Sequence, residues 1–290
     1  MPKVSVLIPT YNYARYLEEA IESVLNQTFT DFELIIIDDQ SKDNTDEVVQ
    51  KYLRDPRVSY QKNPVNLGLV GNFNRALELA NGEYIKFLLA DDKLEKTILS
   101  KFVAVLDTYP GVSLVTCISG TFGDVVQTRE IPLNGLQPGK SVIMESLNHG
   151  KGNWIGEPSV VMFRKSSLPQ GRFNPEYICL VDLDMWLRLL TTGDCYIVPE
   201  TLAYFRKHGW QASDKSQIRN WFDEYYFYRD VKKKNIYNVD LAQLDIDTVI
   251  RRKAKKCVKR VSGLLPRFYK KGNLALIVEG LRIGRAEKIF

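Results

Sequence analysis

No run of eighteen or more apolar residues occurs in the 290-residue chain, so no bilayer-crossing helix is expected. Cysteine is scarce. Cys117, Cys179, Cys195 and Cys257 lie far apart and form no CxxC pair. That argues against a zinc site or a disulfide framework and suits a thiol-keeping cytoplasm. Neither GxxxxGK[ST] nor, after the first strand-like run, GxGxxG is present, and Asn66-Leu67-Gly68-Leu69-Val70-Gly71-Asn72 is only superficially similar. The N-terminus runs from Met1-Pro2-Lys3 directly into Val4-Ser5-Val6-Leu7-Ile8, without the long apolar segment and small-residue cleavage site of a secretory leader. Apolar residues at 44%, charged residues at 26%, 18 Gly and 12 Pro are ordinary values, which excludes disordered, collagen-like and low-complexity chains. At about 150 residues per domain, the length fits one large domain or two small ones.

The net charge of +5 conceals an asymmetry. From Arg229 to Phe290 there are 17 Lys/Arg and 6 Asp/Glu, or +11, whereas the preceding 228 residues hold 23 and 29, or −6. A mildly acidic body therefore carries a strongly basic C-terminal segment, which permits contact with nucleic acid or an anionic membrane without choosing between them.

The first hundred residues alternate strand and helix patterns. Val4–Pro9, Phe32–Ile37, Arg57–Gln61 and Glu83–Leu89 read as strands. Glu18–Gln27, Thr45–Leu53 and Asn72–Ala80 read as the helices between them. Such alternation predicts an α/β, Rossmann-like, mostly parallel sheet flanked by helices. A helix over Leu99–Tyr109 and a strand over Val112–Ile118 follow, then loops or hairpins from Gly120 to Gly139. Trp154–Phe163 and Cys195–Phe205 read as strands on either side of a helix at Asp184–Thr192. Trp221–Lys234 and Thr248–Leu265 read as helices, the second broken by Pro266. A boundary is placed at residue 215. It separates an α/β domain (1–110 nucleotide-binding half, 111–215 acceptor half) from a helical basic extension (216–290).

In an open parallel sheet, ligands bind beyond the carboxyl ends of the strands. Three strand ends are polar there: Pro9-Thr10-Tyr11-Asn12, Asp38-Asp39-Gln40-Ser41, and Ala90-Asp91-Asp92-Lys93. Asp43 and Asp46, taken singly, read as turn formers or helix caps. Asp91-Asp92 reads either as a cap with a neighbour or as a carboxylate pair. A second adjacent carboxylate is not needed for capping, and a divalent cation offsets its repulsion; hard oxygen ligands suit Mg²⁺ or Mn²⁺ carrying substrate phosphates.

VSVLIPTYN (4–12), AIESVLNQTF (20–29) and FELIIIDDQSKDNT (32–45) resemble the start of glycosyltransferase family 2. Asn66-Leu67-Gly68 with Asn72 and Asn74, GEYIKFLLADD (82–92), LVDLDMWLRLL (180–190) and LAYFRKH (202–208) follow in that family's order, so the resemblance spans about residues 3–210. It implies the GT-A fold and transfer, with inversion, of a sugar from a nucleotide diphosphate donor (UDP by default) to a hydroxyl of a glycan or lipid-linked acceptor. A role in polysaccharide or cell-envelope biosynthesis follows from that acceptor class. Carried over residue by residue, Pro9, Thr10 and Tyr11 line the base and ribose pocket and Asp39 accepts a pyrimidine N–H. Asn66, Gly68 and Asn74 border the nucleotide, and Asp91 faces the ribose. Asp92 and His208 hold Mn²⁺ or Mg²⁺ on the diphosphate, and Asp182 is the catalytic base. Two positions depart from the pattern. Val181 stands where the family places an acid before Asp182, which leaves Asp184 as a rival base. Leu89 stands at the first acidic position of the metal loop. These departures keep open a catalytically silent nucleotide-sugar binder. Trp186 reads as core or acceptor wall, and Arg188 as an ion pair within its helix.

Lys232-Lys233-Lys234, Arg251-Arg252-Lys253, Lys255-Lys256, Lys259-Arg260 and Lys270-Lys271 make the extension basic. Val249, Ile250, Ala254, Cys257, Val258, Val261, Leu264 and Leu265 run through it at helical spacing. This basic amphipathic pattern either meets an anionic membrane surface, giving peripheral attachment at the inner face of the cell membrane, or docks on the body or on a second copy in a homodimer. Leu274–Ile283 is apolar but too short to span. The cluster Trp221-Phe222, Tyr225-Tyr226-Phe227-Tyr228 reads as core, dimer interface or acceptor platform. A nucleic-acid-associated module rests on the basic segment alone and explains none of the strand-end acids, so nucleic acid is not the expected partner.

Overall fold

The computed structural model describes residues 1–128, 131–148, 153–209, 217–267, 269 and 272–289. The chain forms two compact units. One comprises Met1–Val142, Asn153–Pro175 and Val181–Gly209; the other comprises Ile143–Gly152, Glu176–Leu180 and Trp210–Phe290. The boundary read at residue 215 lies outside the described residues, as do Lys270 and Lys271. Residues 143–152 and 176–180, read with the α/β domain, group with the second unit.

The first unit is built on nine strands: β1 (Val4–Thr10), β2 (Phe32–Asp38), β3 (Val58–Lys62), β4 (Tyr84–Phe87), β5 (Lys93–Leu94), β6 (Val112–Gly123), β7 (Gly135–Gln137), β8 (Val161–Arg164) and β9 (Asp194–Lys207). Their order is β3-β2-β1-β4-β8-β6-β9-β5, with β7 also on β9. The β1–β2, β1–β4, β2–β3 and β6–β9 pairs are parallel. The chain crosses from β3 at one edge back to β4 beside β1, so the strand order reverses at β1, where an α/β sheet opens a crevice. Every residue of β1 is buried, and Leu34 to Asp38 of β2 are buried too, which is why both read as continuous apolar runs.

Helices α1 (Ala14–Leu25), α2 (Thr45–Gln50), α3 (Gly68–Leu79), α4 (Ile98–Thr108) and α6 (Val181–Leu189) accompany the strands, and α5 (Gly139–Leu147) runs from the first unit into the second. The helices α1, α3 and α6 start three or four residues earlier than their periodicity predicts, α1 and α3 for one reason. An α-helix opens with N–H groups that lack intrahelical acceptors. The Asp43 carboxylate accepts the Ala14 N–H at 3.0 Å, and the Asp39 carboxylate accepts the Leu67 and Gly68 N–H groups at 2.7 and 2.9 Å. Both caps come from the chain just after β2, out of reach of a local pattern. Residues 154–163, read as one strand, are irregular up to a 3₁₀ turn at Pro158–Val160 and extended only from Val161. Pro158 and Gly156, whose φ is +121°, keep that stretch out of a ladder.

The second unit is helical: α7 (Gln217–Lys234), α8 (Ile246–Ser262) and α9 (Asn273–Ala286). Phe222, Tyr225, Phe227 and Tyr228 are buried, which makes the aromatic cluster core. Val249, Ile250, Ala254, Cys257 and Val261 of α8 are buried as well, with α8 packed on both α7 and α9. The apolar stripe of α8 is thus internal and not available to a membrane, which corrects that reading of the helix. The buried Lys253 ammonium is paired with Glu224 at 2.8 Å. Arg251, Arg252, Lys255, Lys256, Lys259 and Arg260 remain exposed.

Candidate active site

The tails of β1 and β2 leave the sheet with two non-glycine residues in the left-handed region, Asn12 at φ 58° and Gln40 at φ 68°. Such backbone persists where surrounding bonds fix it. Here Asn12 donates its N–H to Ser41 Oγ at 2.8 Å and accepts the Lys42 N–H at 2.6 Å. Asp38 is fully buried and accepts from Ser41 N–H and the Tyr60 hydroxyl, so it serves the end of β2. Asp39 accepts Asn63 Nδ2 at 2.9 Å in addition to the two α3 amides. Asn66 donates to the Asp39 carbonyl at 2.7 Å. Asn63 also reaches Asn72, which in turn reaches the Ile37 carbonyl. Asp39, Asn66 and Gly68 therefore form one hydrogen-bonded loop beside Thr10, whose carbonyl accepts the Asp39 N–H at 2.9 Å. Pro9 and Thr10 are buried and Tyr11 is exposed. Among the described residues, the buried Thr10 Oγ1 has no hydrogen-bond partner. Asn74 stands apart: both ends of its amide are bonded to the Phe173 backbone, at 2.9 and 3.0 Å.

Asp91 and Asp92 do not cap a helix. Strand β5 follows them directly and pairs antiparallel with β9 at Tyr204 and Ala203, which pins the acid turn beside the end of β9. Asp92 has no exposed surface. One of its oxygens accepts the Ser159 hydroxyl at 2.5 Å and the other accepts the Arg206 N–H at 3.1 Å. Burial, and then the charge of Asp91, hold its carboxyl well above the usual carboxylate range. Asp91 projects differently. Its Oδ2 lies 3.0 Å from His208 Nε2, and both side chains reach the surface in part, at 11% and 8%. The His208 ring sits 4.9 Å from that of Tyr16 and 6.1 Å from that of Tyr13. Arg206 donates Nε to the Asp91 carbonyl at 2.9 Å and lies over Tyr16 and Phe122. Behind this turn Lys86 is wholly buried, donating to the carbonyls of Phe87 and Ser159. Desolvation pushes its ammonium down to about 7 against the pull of Cys117 and Asp92.

Asp182 opens α6, half-buried. Its oxygens accept the Leu183 N–H at 2.7 Å and Asn153 Nδ2 at 2.9 Å. Burial pushes its carboxyl up to about 6, and the charge of Glu157 adds to the rise. Asp184 is fully buried and bonded to Arg188 Nε at 3.0 Å and Nη2 at 2.6 Å. Arg188 also donates to the carbonyls of Gln170 and Arg172. Asp184 is thus committed to an ion pair, whereas Asp182 is half-buried and takes these hydrogen bonds from uncharged groups, the Leu183 N–H and the Asn153 amide. Trp186 is buried and donates Nε1 to the Gly156 carbonyl at 3.0 Å.

One segment that no motif marks, residues 153–160, joins these parts. Asn153 holds Asp182, and its amide also closes on both backbone groups of Gly156. Gly156 receives Trp186, and Ser159 holds Asp92 and accepts the Leu89 N–H at 3.0 Å. The charge of Glu157 raises the carboxyls of both Asp92 and Asp182. Burial, and then the charges of Asp91 and Asp92, push up the hydroxyl of Tyr13. Asp92 and Asp182, read from separate stretches of sequence, thus both lie within reach of Glu157, while Asp39 is tied to the end of β1 through the Thr10 carbonyl. The strap is invisible to periodicity because it is irregular; only Gly156 and Pro158 mark it as a turn.

An open sheet with acids gathered at its carboxyl edge defines a GT-A glycosyltransferase architecture. Solved structures agree in fold. The S. aureus TarS 1–349 structure in complex with UDP-GlcNAc aligns with TM-score 0.69 and 19% identity over 96% of this chain and 79% of that one. Mannosyltransferase PcManGT from Pyrobaculum calidifontis, in complex with GDP-Man and Mn²⁺, aligns with TM-score 0.61 and 17% identity over 99% of this chain and 86% of that one. The chain belongs to glycosyl transferase family 2, whose family model matches residues 5–170. A Campylobacter jejuni GalNAc(5)-diNAcBac-PP-undecaprenol beta-1,3-glucosyltransferase is 34% identical over 68% of this chain and 62% of its own length. A Bacillus subtilis putative teichuronic acid biosynthesis glycosyltransferase, TuaG, is 31% identical over 80% of this chain and 89% of its own.

Proposed function

We propose that the protein is an inverting glycosyltransferase. It takes a sugar from a nucleotide diphosphate donor, UDP-linked by preference, and delivers it to a hydroxyl of a glycan or lipid-linked acceptor in cell-envelope polysaccharide synthesis. The observation that carries this reading is Asp182. It is a half-buried carboxyl pushed up to about 6 and held by Asn153, and Glu157 acts on it and on Asp92, the neighbour of Asp91. A base poised near neutrality is suited to accept a proton from an alcohol. The acceptor oxygen gives that proton to Asp182 as it bonds to the anomeric carbon. The bond from that carbon to the diphosphate breaks on the opposite side, and the electron pair leaves with the nucleotide diphosphate.

The diphosphate is assigned to the Asp91–His208 corner. One carboxylate and one imidazole 3.0 Å apart suit Mn²⁺, and Mg²⁺ with more retained water. Two protein ligands suffice where substrate phosphates complete the shell. A divalent cation there supplies positive charge to the departing diphosphate. This moves the cation from Asp92 to Asp91, because Asp92 is sealed and both its oxygens are engaged. Asp92 then acts as the internal bracket that holds Ser159 and Arg206. At the nucleotide end, the exposed Tyr11 ring is assigned to the base and ribose, while Thr10, whose Oγ1 is sealed, contributes its carbonyl to holding Asp39. Asp39 retains acceptor capacity for a pyrimidine N–H, since a carboxylate offers about four lone-pair sites.

The test is donor binding by calorimetry across UDP-, dTDP- and GDP-sugars with and without Mn²⁺, followed by NMR of the anomeric product. Mn²⁺-dependent binding that Asp91→Ala weakens, with an inverted product, supports the reading. Tight donor binding with neither transfer nor hydrolysis would establish a silent binder instead.

A further inference from the structure

Helix α9 packs one side onto α8 and leaves the other open. The packed side is Ile277, Gly280, Ile283 and Gly284, all buried. Gly280 makes room there for Val261: a Cβ would stand 2.6 Å from Val261 Cγ1, so the valine side chain seats against the bare α-carbon. The open side is not polar. Leu274 is 59% exposed, Val278 39% and Leu281 48%. With Ala275, Arg282 and Arg285, also exposed, they fall within about 120° of arc on a helix of 3.6 residues per turn. No carboxylate shares that arc. Glu279 borders it, and Glu287 lies on the far side, where it accepts the Tyr225 hydroxyl at 2.8 Å. Leu265, in the connection from α8, is exposed too, at 52%.

An apolar stripe that carries two arginines within its arc and a single carboxylate, Glu279, at its border has the profile of a helix lying in the plane of a membrane surface. The complementary charge selects the occupant. Arg282 and Arg285 flank the stripe, and α8, in the same unit, exposes six more cations. Adjacent basic residues attract anionic headgroups, whereas a zwitterionic surface offers them nothing. No helix among the described residues is long and apolar enough to cross a membrane, so the contact is interfacial.

We propose that the open face of α9, Leu274, Val278, Leu281, Arg282 and Arg285, is an anionic-lipid-binding surface that holds the protein in the plane of the bilayer. The surface shares no residue with the donor site, so it can fail while the glycosyltransferase reading holds, and the reverse.

The test uses the full chain and vesicles without any sugar acceptor, made of phosphatidylcholine alone or with about one third phosphatidylglycerol. The wild type should co-sediment with the anionic vesicles and not with the neutral ones. Leu274→Ser with Leu281→Ser should lower the bound fraction by about tenfold or more, since two exposed leucines then lose their transfer into the interface. Val278→Asn should act in the same direction and replaces the double variant if that one fails to fold. Light scattering should give the same mass for wild type and variant. Absence of wild-type binding to anionic vesicles overturns the proposal, as does undiminished binding by a folded variant. A wild-type dimer that the substitutions convert to monomer without changing vesicle binding also overturns it, and assigns the face to a second copy.

Discussion

At the scale of single residues, Asp182 is held in a state that costs stability. Its carboxyl titrates near 6 in the fold against 3.8 ordinarily. Between these values the folded chain binds more protons than the unfolded one, so stability falls as pH rises from about 4 to 6, and the loss stays in full above that. Asp182→Asn removes the charge penalty, and its single oxygen keeps one of the two present donors, Leu183 N–H and Asn153 Nδ2, which sets the gain below the full value of the shift. Two outcomes should coincide. Turnover falls by about 10²–10⁴-fold with donor affinity unchanged, and stability at pH 8 rises by about 1–3 kcal/mol, a gain that vanishes near pH 4. Denaturant titrations at the two pH values, beside transfer assays, check both; loss of stability at pH 8 would contradict the account. Asn153 acts through Asp182, since its amide stabilises the charged form. Asn153→Ala should therefore move the acidic limb of the kcat/KM profile above pH 6, while Asn153→Asp should not restore it. Asp182 was singled out by the resemblance of LVDLDMWLRLL to the family pattern, even though Val181 lacks the preceding acid. Asn153 and Glu157, which adjust a carboxyl shifted chiefly by burial, were not, because their influence travels through space and neither belongs to a periodic element.

At the scale of elements, the site is assembled by chain that has no regular structure of its own. Strands β1 and β2 were legible almost residue by residue, since buried parallel strands are mostly apolar, whereas β4 was read three residues too long. The early starts of α1 and α3 were not, since their capping carboxylates, Asp43 and Asp39, arrive from another part of the chain. The strap 153–160 was missed entirely as a functional element. Its conformation turns on Gly156: at φ +121° a side chain is strained, and a Cβ would stand 2.2 Å from Val160 Cγ2. Gly156→Ala should destabilise the fold by about 2 kcal/mol or more and depress transfer, because the strap carries Asn153 and Ser159 together. Ser159→Ala is milder sterically but strips a hydroxyl from the sealed Asp92, at a cost of about 1–3 kcal/mol. Chemical denaturation ranks the two. If Ser159→Ala left stability and Mn²⁺-dependent donor binding untouched, Asp92 would not be the bracket described here.

At the scale of the whole molecule, the charge division of −6 against +11 was plain in the sequence, but its use was not. The helical spacing of Val249, Ile250, Ala254, Cys257 and Val261 left open a membrane, the body of the protein or a second copy, and burial within the helical unit gives these residues to the core. Periodicity reports that a helix has an apolar side, not which surface covers it. What α8 presents to solvent is charge, and charge acts at a distance set by salt. Reversing Lys255, Lys256 and Lys259 to Glu removes three basic residues worth about 1 kcal/mol each beside an anionic surface. Vesicle partitioning should then fall by about 100-fold or more. Transfer to a water-soluble acceptor analogue should stay unchanged, because none of the three belongs to the site built from Asp39, Asp91, Asp182 and His208. Transfer to an acceptor embedded in anionic vesicles should fall with the partitioning. The wild type should approach the variant's rate as salt is raised to about 0.5 M, where the Debye length shrinks to roughly 4 Å. A variant equally slow on both acceptors would place these lysines in the catalytic machinery instead, and a variant equally fast on both would remove α8 from any role at the lipid surface.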